Sequence, residues 1–89
     1  MKRIAIFASG SGTNFEALIE NCENGNINAK VLLMVCDKKD AYVITRAKNH
    51  NVEALVFNPK DYKSKDEYEK MIVNKLNQLN IYYLLKYYP

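Results

Sequence analysis

The 89-residue chain is poor in the residues that build disulfide frameworks and metal centres. It has two cysteines, Cys22 and Cys36, which are 14 residues apart, and a single histidine, His50. Two cysteines do not make a disulfide framework, and no CxxC or paired His/Cys spacing indicates a metal site. We therefore expect no metal and a reduced, cytoplasmic protein in which both cysteines are small buried apolar residues.

Long apolar runs and a strong charge of one sign are also missing. No stretch approaches the roughly 18 apolar residues of a membrane span. The basic start at Met1–Arg3 leads into an apolar run that is too short for a signal peptide. The formal net charge is only +3, and the lysines are interleaved with acids. This composition argues against membrane insertion, secretion and nonspecific nucleic-acid binding, and the length suits one small domain.

What the chain does have is an alternation of buried strands and amphipathic helices. Apolar runs without alternation predict strands at 2–9, 29–36, 52–57 and 81–85. Apolar residues at helical spacing predict three helices between these strands, the second of which starts at Asp40. The apolar face of the first helix consists of Phe15, Leu18, Ile19 and Cys22, and that of the second consists of Ala41, Val43, Ile44 and Ala47. The apolar face of the third helix consists of Tyr68, Met71, Ile72, Leu76 and Leu79. Two capping boxes are predicted, with Thr13 and Ser64 as caps and Glu16 and Glu67 three residues on.

The order β-α-β-α-β-α-β predicts an α/β fold with a parallel sheet of about four strands and right-handed crossovers. This is half of a doubly wound sheet, which binds ligands beyond the carboxyl ends of its strands where the strand order reverses. We expect that point between the first and fourth strands, and a half-built site there. We also expect Tyr82 and Tyr83 in the fourth strand, Tyr87 and Tyr88 in a frayed tail, and self-association through the uncovered fourth strand.

The segment between the first strand and first helix, Gly10–Asn14, is the candidate binding turn. Gly10 permits a tight turn and Gly12 lets a ligand approach the backbone, whose N–H groups at a helix N-terminus form an anion site. Thr13 and Asn14 add side-chain donors. The dinucleotide fingerprint fails because Phe15 stands where a third small residue is needed, and a Walker A motif is absent. A single phosphate is favoured, with a purely structural turn and a dinucleotide site as the alternatives.

Three stretches resemble the phosphoribosylglycinamide formyltransferase family. "IAIFASGSGTNFEALIE" is similar to its first strand, phosphate loop and first helix, with the pattern S-G-x-G-[ST]-N-[FL]. "VCDKKDAYVITRAKNHNV" resembles its loop and Arg-Ala helix after the second strand, and "DYKSKDEYEKMIVNKLNQLNI" resembles its third helix. The resemblance implies that residues 1–89 are a single, truncated nucleotide-binding half-domain, the N-terminal half of a Rossmann-like formyltransferase fold.

The family acts in purine biosynthesis and transfers a formyl group from 10-formyltetrahydrofolate to the amine of glycinamide ribonucleotide. The resemblance implies that Gly12, Thr13 and Asn14 hold the substrate's 5′-phosphate, with Ser11 beside them. It also implies that Lys65 attracts the glutamate tail of the folate. A small phosphate- or nucleotide-binding module without catalysis is the alternative function.

No catalytic residue is expected within these 89 residues. The family's catalytic Asn, His and Asp follow further along than this sequence extends, and "LLKYYP" replaces the family's pterin-lining segment. His50 is expected at the surface or at a helix C-terminus. Asp37 and Asp40 are interpreted as loop and helix-cap residues. The chain alone is therefore expected to be inactive.

Overall fold

A computed structural model describes residues 1–87 and shows the predicted order of strands and helices. The elements are β1 (Lys2–Ala8), α1 (Thr13–Glu23), β2 (Ala29–Cys36), α2 (Val43–Asn49), β3 (Glu53–Val56), a 3₁₀ turn (Pro59–Asp61), α3 (Lys65–Gln78) and β4 (Tyr83–Tyr87). All strand pairings are parallel, and the strand order is β3-β2-β1-β4. The prediction of a four-stranded α/β fold is confirmed.

The strand order decides which face of the sheet each helix covers. The chain moves from β1 to β2 to β3 in one direction and then returns across the sheet to β4. Right-handed crossovers therefore place α1 and α2 on one face and α3 on the opposite face. Because β1 lies between β2 and β4, the strand order reverses at the boundary between β1 and β4, as predicted.

Two apolar clusters, one on each face, hold the layers together. The first joins alternate residues of β1 and β2 to the buried sides of α1 and α2, with Phe15, Ile19, Val43 and Ala47 contributed by the helices. The second packs Ile72 of α3 against the other face, together with the aromatic side chains of Phe57, Tyr62 and Tyr68. The residues predicted for the apolar faces of the three helices all belong to these clusters or pack against them, although Ala41 precedes α2 and Leu79 is the C-cap of α3.

The first predicted capping box, at Thr13, is wrong. Gly12 is the N-cap residue of α1 and Thr13 is the first helical residue, with no side-chain capping bond. The reason is that Gly12 adopts a left-handed φ of 81°, which brings the chain into the helix one residue earlier. The Glu16 carboxylate instead pairs with residues of α2. At α3 the predicted cap is present, since the Ser64 hydroxyl accepts from the Glu67 N–H.

The predicted start of the second helix at Asp40 is also wrong. Residues 38–41 form a turn in which the Ala41 N–H donates to the Lys38 carbonyl, and α2 begins only at Val43, with Tyr42 as N-cap. Asp40 lies within that turn and does not cap the helix.

The fourth strand lies two residues later than predicted. Ile81 belongs to the connection after α3, where its N–H donates to the Leu76 carbonyl and its side chain is buried. Tyr82 precedes the strand and is 82% exposed, whereas Tyr83 and Tyr87 lie within it. Tyr87 is therefore not part of a frayed tail, and the expectation for Tyr88 lies outside the described residues.

Candidate functional site

The carboxyl ends of the four parallel strands meet at one edge of the sheet. The glycine turn (residues 10–14) follows the carboxyl end of β1, and the register pairs Ala8 of β1 with Tyr87 at the end of β4. The turn therefore lies at the position where the strand order reverses, the place at which open α/β sheets bind ligands.

The glycine turn presents a row of backbone donors without protein partners. The left-handed φ of Gly12 turns the chain sharply into α1, and within residues 1–87 the N–H groups of Ser11, Gly12, Thr13 and Asn14 donate to no protein acceptor. They surround a cavity of about 40 Å³ lined by residues 8–15. This volume holds only a small group, and the positive end of the α1 dipole favours a negative one.

The carbonyl groups of the glycine turn are hydrogen-bonded to α2. The Val43 N–H donates to the Gly10 carbonyl over 3.2 Å, and the Arg46 Nε donates to the Ser11 carbonyl over 2.7 Å. The Val43 side chain packs directly against Gly12. The sequence interpretation missed this attachment, because it joins residues more than 30 positions apart. The available signal was the Arg-Ala pair in the segment that carries the family resemblance.

A charged cluster continues from this attachment along α1 and α2. Glu16 in the first turn of α1 accepts from the Arg46 Nη1 over 3.4 Å and lies 2.6 Å from the His50 Nε2. The other ring nitrogen of His50 lies 3.1 Å from a Glu23 carboxylate oxygen. Since both ring nitrogens face carboxylates, the imidazolium form, with two N–H donors, fits this environment best.

The cluster shifts the pKa values of its two central groups in opposite directions. The hydrogen bond with Glu16 raises the pKa of His50 above its usual value. The hydrogen bond with His50 lowers the pKa of Glu16. His50 is the C-cap of α2, so its predicted position at a helix C-terminus is confirmed. Because both of its nitrogens are engaged, the ring acts here as a structural contact.

Lys65, the residue assigned to the folate, lies on the other side of the sheet. It is the first residue of α3, is exposed, and lines a cavity of about 220 Å³ with Tyr68, Leu84 and Lys86. The structure thus brings Ser11, Gly12, Thr13 and Asn14 together in one turn and gives Lys65 a separate position across the same sheet edge. The lining of this cavity also includes Asp37 and Glu69, so its two lysines are balanced by two acidic residues.

A third cavity, of about 720 Å³, lies between the loops that follow β2 and β3 and has Asp37, Asp40 and Asp61 among its lining residues. The Asp37 Oδ1 atom is buried and has no hydrogen-bond partner among residues 1–87. Among the described residues, no group of three or more His, Cys, Asp or Glu side chains could hold a metal ion. In the same part of the chain, no helix is long and apolar enough to cross a membrane.

Comparison with known proteins gives concordant matches over nearly the whole chain. The family model described as formyl transferase matches residues 2–88. A phosphoribosylglycinamide formyltransferase of Bacillus subtilis is 42% identical over 76 residues, which is 85% of this chain and 39% of that protein. The same enzyme of Haemophilus influenzae is 36% identical over 81 residues, covering 91% of this chain and 38% of that protein.

Solved structures agree with the sequence matches. The crystal structure of glycinamide ribonucleotide transformylase 1 from Geobacillus kaustophilus superposes with a TM-score of 0.94 at 48% identity, covering 97% of this chain and 46% of that one. The chain therefore spans less than half the length of the relatives it matches, and it corresponds to their N-terminal part.

Proposed function

The chain belongs to the formyl transferase family, and from this premise we propose that its glycine turn binds the 5′-phosphate of glycinamide ribonucleotide. In this proposal the backbone N–H groups of Ser11 and Gly12 donate to phosphate oxygens. Thr13 and Asn14 add their own N–H groups and their side-chain donors. Residues 1–89 then form the nucleotide-binding half-domain of a phosphoribosylglycinamide formyltransferase.

The observation that carries this proposal is the row of four unpartnered N–H groups around a cavity of about 40 Å³. A phosphomonoester fits such a small cavity better than the pyrophosphate of a dinucleotide does. Its charge is stabilised by the α1 dipole and by hydrogen bonds to a charged acceptor, which are the stronger kind. The relatives named above, a phosphoribosylglycinamide formyltransferase and a glycinamide ribonucleotide transformylase, support a ribonucleotide phosphate as the ligand.

We further propose that 10-formyltetrahydrofolate is the co-substrate and that Lys65 attracts its glutamate tail. The exposed ammonium at the start of α3 acts as a point charge and not as a bidentate fork. Formyl transfer passes through an oxyanion that needs a polarising group and a proton carrier. The proposal assigns those groups to the part of the family's length that lies outside the 89 residues, and the chain by itself is then inactive.

A phosphate-binding module without catalysis is the second candidate function. It is favoured by the same turn, whose backbone donors can bind a phosphate without any catalytic group. Both candidates are compatible with a cytoplasmic protein, which the unpaired thiols of Cys22 and Cys36 support.

The test is a thermal-shift titration of the 89-residue chain with glycinamide ribonucleotide, with the dephosphorylated riboside and with NAD. A ligand at 100 times its dissociation constant adds about 2.7 kcal/mol of stability, which raises the Tm of a small domain by roughly 10–20 °C. We expect this shift with the ribonucleotide alone. A shift with NAD would support a dinucleotide site, and no shift with any ligand would support a purely structural turn.

An assay of formyl transfer by the same chain tests whether the 89 residues are catalytically active by themselves, which neither candidate function predicts. Turnover of 10-formyltetrahydrofolate by the 89 residues would contradict the assignment of the chemistry to a segment outside them. Thr13→Ala and Asn14→Ala should weaken ribonucleotide binding, whereas the exposed Thr45→Ala on α2 is a matched control that should not.

A further inference from the structure

The carbonyl groups of two consecutive peptide units in the glycine turn are held by α2. The Gly10 carbonyl accepts from the Val43 N–H, and the Ser11 carbonyl accepts from the Arg46 Nε. The second bond is the shorter, at 2.7 Å, and it is the one that a side chain supplies.

Holding these carbonyls also fixes the direction of the N–H groups on the other side of the same peptide units. No peptide bond in the described chain is cis, and in a planar trans peptide the C=O and N–H point in opposite directions. The Ser11 carbonyl and the Gly12 N–H share one peptide unit. When Arg46 holds the carbonyl towards α2, the Gly12 N–H must point away from α2.

Glycine makes this restraint necessary. Gly12 has no Cβ and can adopt both signs of φ, so the peptide unit between Ser11 and Gly12 could rotate at low cost. Phosphate binding by backbone donors depends on their alignment, because hydrogen bonds weaken steeply as the angle departs from linear. A donor on the outer side of the turn removes that freedom.

Arg46 is itself fixed in the required geometry. Its Nη1 donates to Glu16 over 3.4 Å, and its guanidinium carbon lies 5.0 Å from the centre of the Tyr42 ring. The planar guanidinium can make these contacts together, which a lysine ammonium cannot reproduce. The carboxylate of Glu16 also offsets the charge of Arg46, so its effect on a bound anion comes mainly through the peptide unit it holds.

We propose that Arg46 is a positioning residue for the anion site: by donating a hydrogen bond to the Ser11 carbonyl, it aims the Gly12 N–H at the bound phosphate. This inference rests on the proposed phosphate site. It adds a residue on another helix, outside the turn, as a determinant of that site's affinity.

The experiment measures the affinity of the 89-residue chain for ribose 5-phosphate by calorimetry and its backbone amide resonances by ¹⁵N NMR. We expect Arg46→Ala to bind about tenfold more weakly, the equivalent of one charge-assisted hydrogen bond. The Gly12 amide resonance should move in Arg46→Ala before any ligand is added. The matched control is Lys48→Ala, which removes the same charge from an exposed position of the same helix and should change affinity less than twofold.

The possible failures are distinguishable. Absence of binding by the wild-type chain overturns the phosphate site and the inference with it. Equal affinity of wild type and Arg46→Ala overturns the positioning role alone, and an equal loss in Lys48→Ala assigns the effect to net charge and overturns it too. Should Arg46→Ala not fold, Arg46→Lys decides the question, because it keeps the charge but loses the planar guanidinium. We expect it to bind more weakly than the wild type, and equal affinity would overturn the positioning role.

Discussion

The Val43 side chain of α2 occupies the space that a Cβ atom on Gly12 would need. An ideal Cβ at position 12 would lie 2.6 Å from the Val43 Cβ and 3.0 Å from its Cα. Real Cβ atoms do not approach other atoms this closely. Glycine is thus required at position 12 for two reasons, the left-handed φ of this residue and the close packing of the glycine turn against α2.

The first prediction is that Gly12→Ala destabilises the protein more than the same change at Gly25. Both glycines have a left-handed φ, 81° and 87°, so alanine costs about 1–2 kcal/mol at either position. Only at Gly12 does the new methyl group also meet neighbouring atoms, since nothing lies within 4 Å at Gly25. Overpacking adds about 1–3 kcal/mol. Urea denaturation of the two variants measures the difference.

A double-mutant cycle tests the cause of that difference. Val43→Ala removes the Cγ2 methyl group that a Cβ at position 12 would meet, but it keeps the Cβ atom at 2.6 Å and the Cα atom at 3.0 Å. Gly12→Ala should then cost less in the Val43→Ala background than in the wild type. An unchanged cost would show that the Cγ2 methyl group of Val43 contributes nothing, and that the left-handed φ and the contacts with the Cβ and Cα of residue 43 make glycine necessary.

The second prediction concerns the pH dependence of stability around His50. Its pKa is raised above the usual 6.5 in the folded state, so its contribution is fully present below pH 6.5 and is lost as the pH rises through the folded-state value. The pKa of Glu16 is lowered from 4.5, so its contribution is present above pH 4.5 and is lost as the pH falls through its folded-state value. The pair therefore stabilises most between about pH 4.5 and 6.5.

The pH effect can be assigned by substitution because His50 is the single histidine of the chain. The groups that face its ring are Glu16 and Glu23 of α1, with Arg46 adjacent on its own helix. His50→Gln should remove most of the fall in unfolding free energy that occurs as the pH rises above 6.5, and Glu16→Gln should reduce it. A slope that persists in His50→Gln would assign the fall to another group.

The third prediction compares the two helix starts that share a capping-box pattern. Ser64 caps α3 through its hydroxyl, so Ser64→Ala should lower the unfolding free energy by about 0.5–1 kcal/mol. Thr13 makes no capping bond. Thr13→Ala should therefore leave stability unchanged or slightly raised, since alanine has the higher helix propensity. A loss at Thr13 as large as at Ser64 would contradict the assignment of Gly12 as the cap.

The parts of the fold that could be predicted are those set by local patterns. β1 and β2 are buried on both faces, so the apolar runs in the sequence begin and end close to the boundaries of these strands. The apolar run predicts that β4 starts at Ile81, two residues before its actual start, because Ile81 is apolar for a reason unrelated to the strand. It fills the second cluster from the connection after α3 and does not extend the strand. An apolar run in the sequence does not distinguish the residues of a buried strand from a connecting residue that packs into the core.

The features of the candidate site also differ in whether the local sequence pattern could predict them. The glycine turn could be predicted because its spacing and the helix that follows are adjacent in sequence. Its attachment to Val43 and Arg46 could not, since it depends on how α1 and α2 lie side by side on one face of the sheet. The first capping box failed for the related reason that Glu16 has stronger partners on the neighbouring helix.

The fourth prediction is that the chain self-associates through β4. Among residues 1–87, this strand lies at one edge of the sheet and pairs with β1 only, while β3 forms the opposite edge. Leu85 points to the face covered by α1 and α2, since it pairs with the buried Ile6, yet it remains 37% exposed. An exposed edge strand with apolar side chains is a template for pairing with another chain. Sedimentation velocity should show a concentration-dependent dimer.

The opposite edge provides the control, because Val56 on β3 is also 37% exposed. A lysine on an edge strand opposes pairing with a second copy, since its charge would have to be desolvated in the new sheet. Leu85→Lys should therefore shift the equilibrium to monomer, and Val56→Lys should leave it unchanged. The reverse result would place the contact at β3. A wild-type chain that stays monomeric at every concentration would contradict the prediction of self-association through β4.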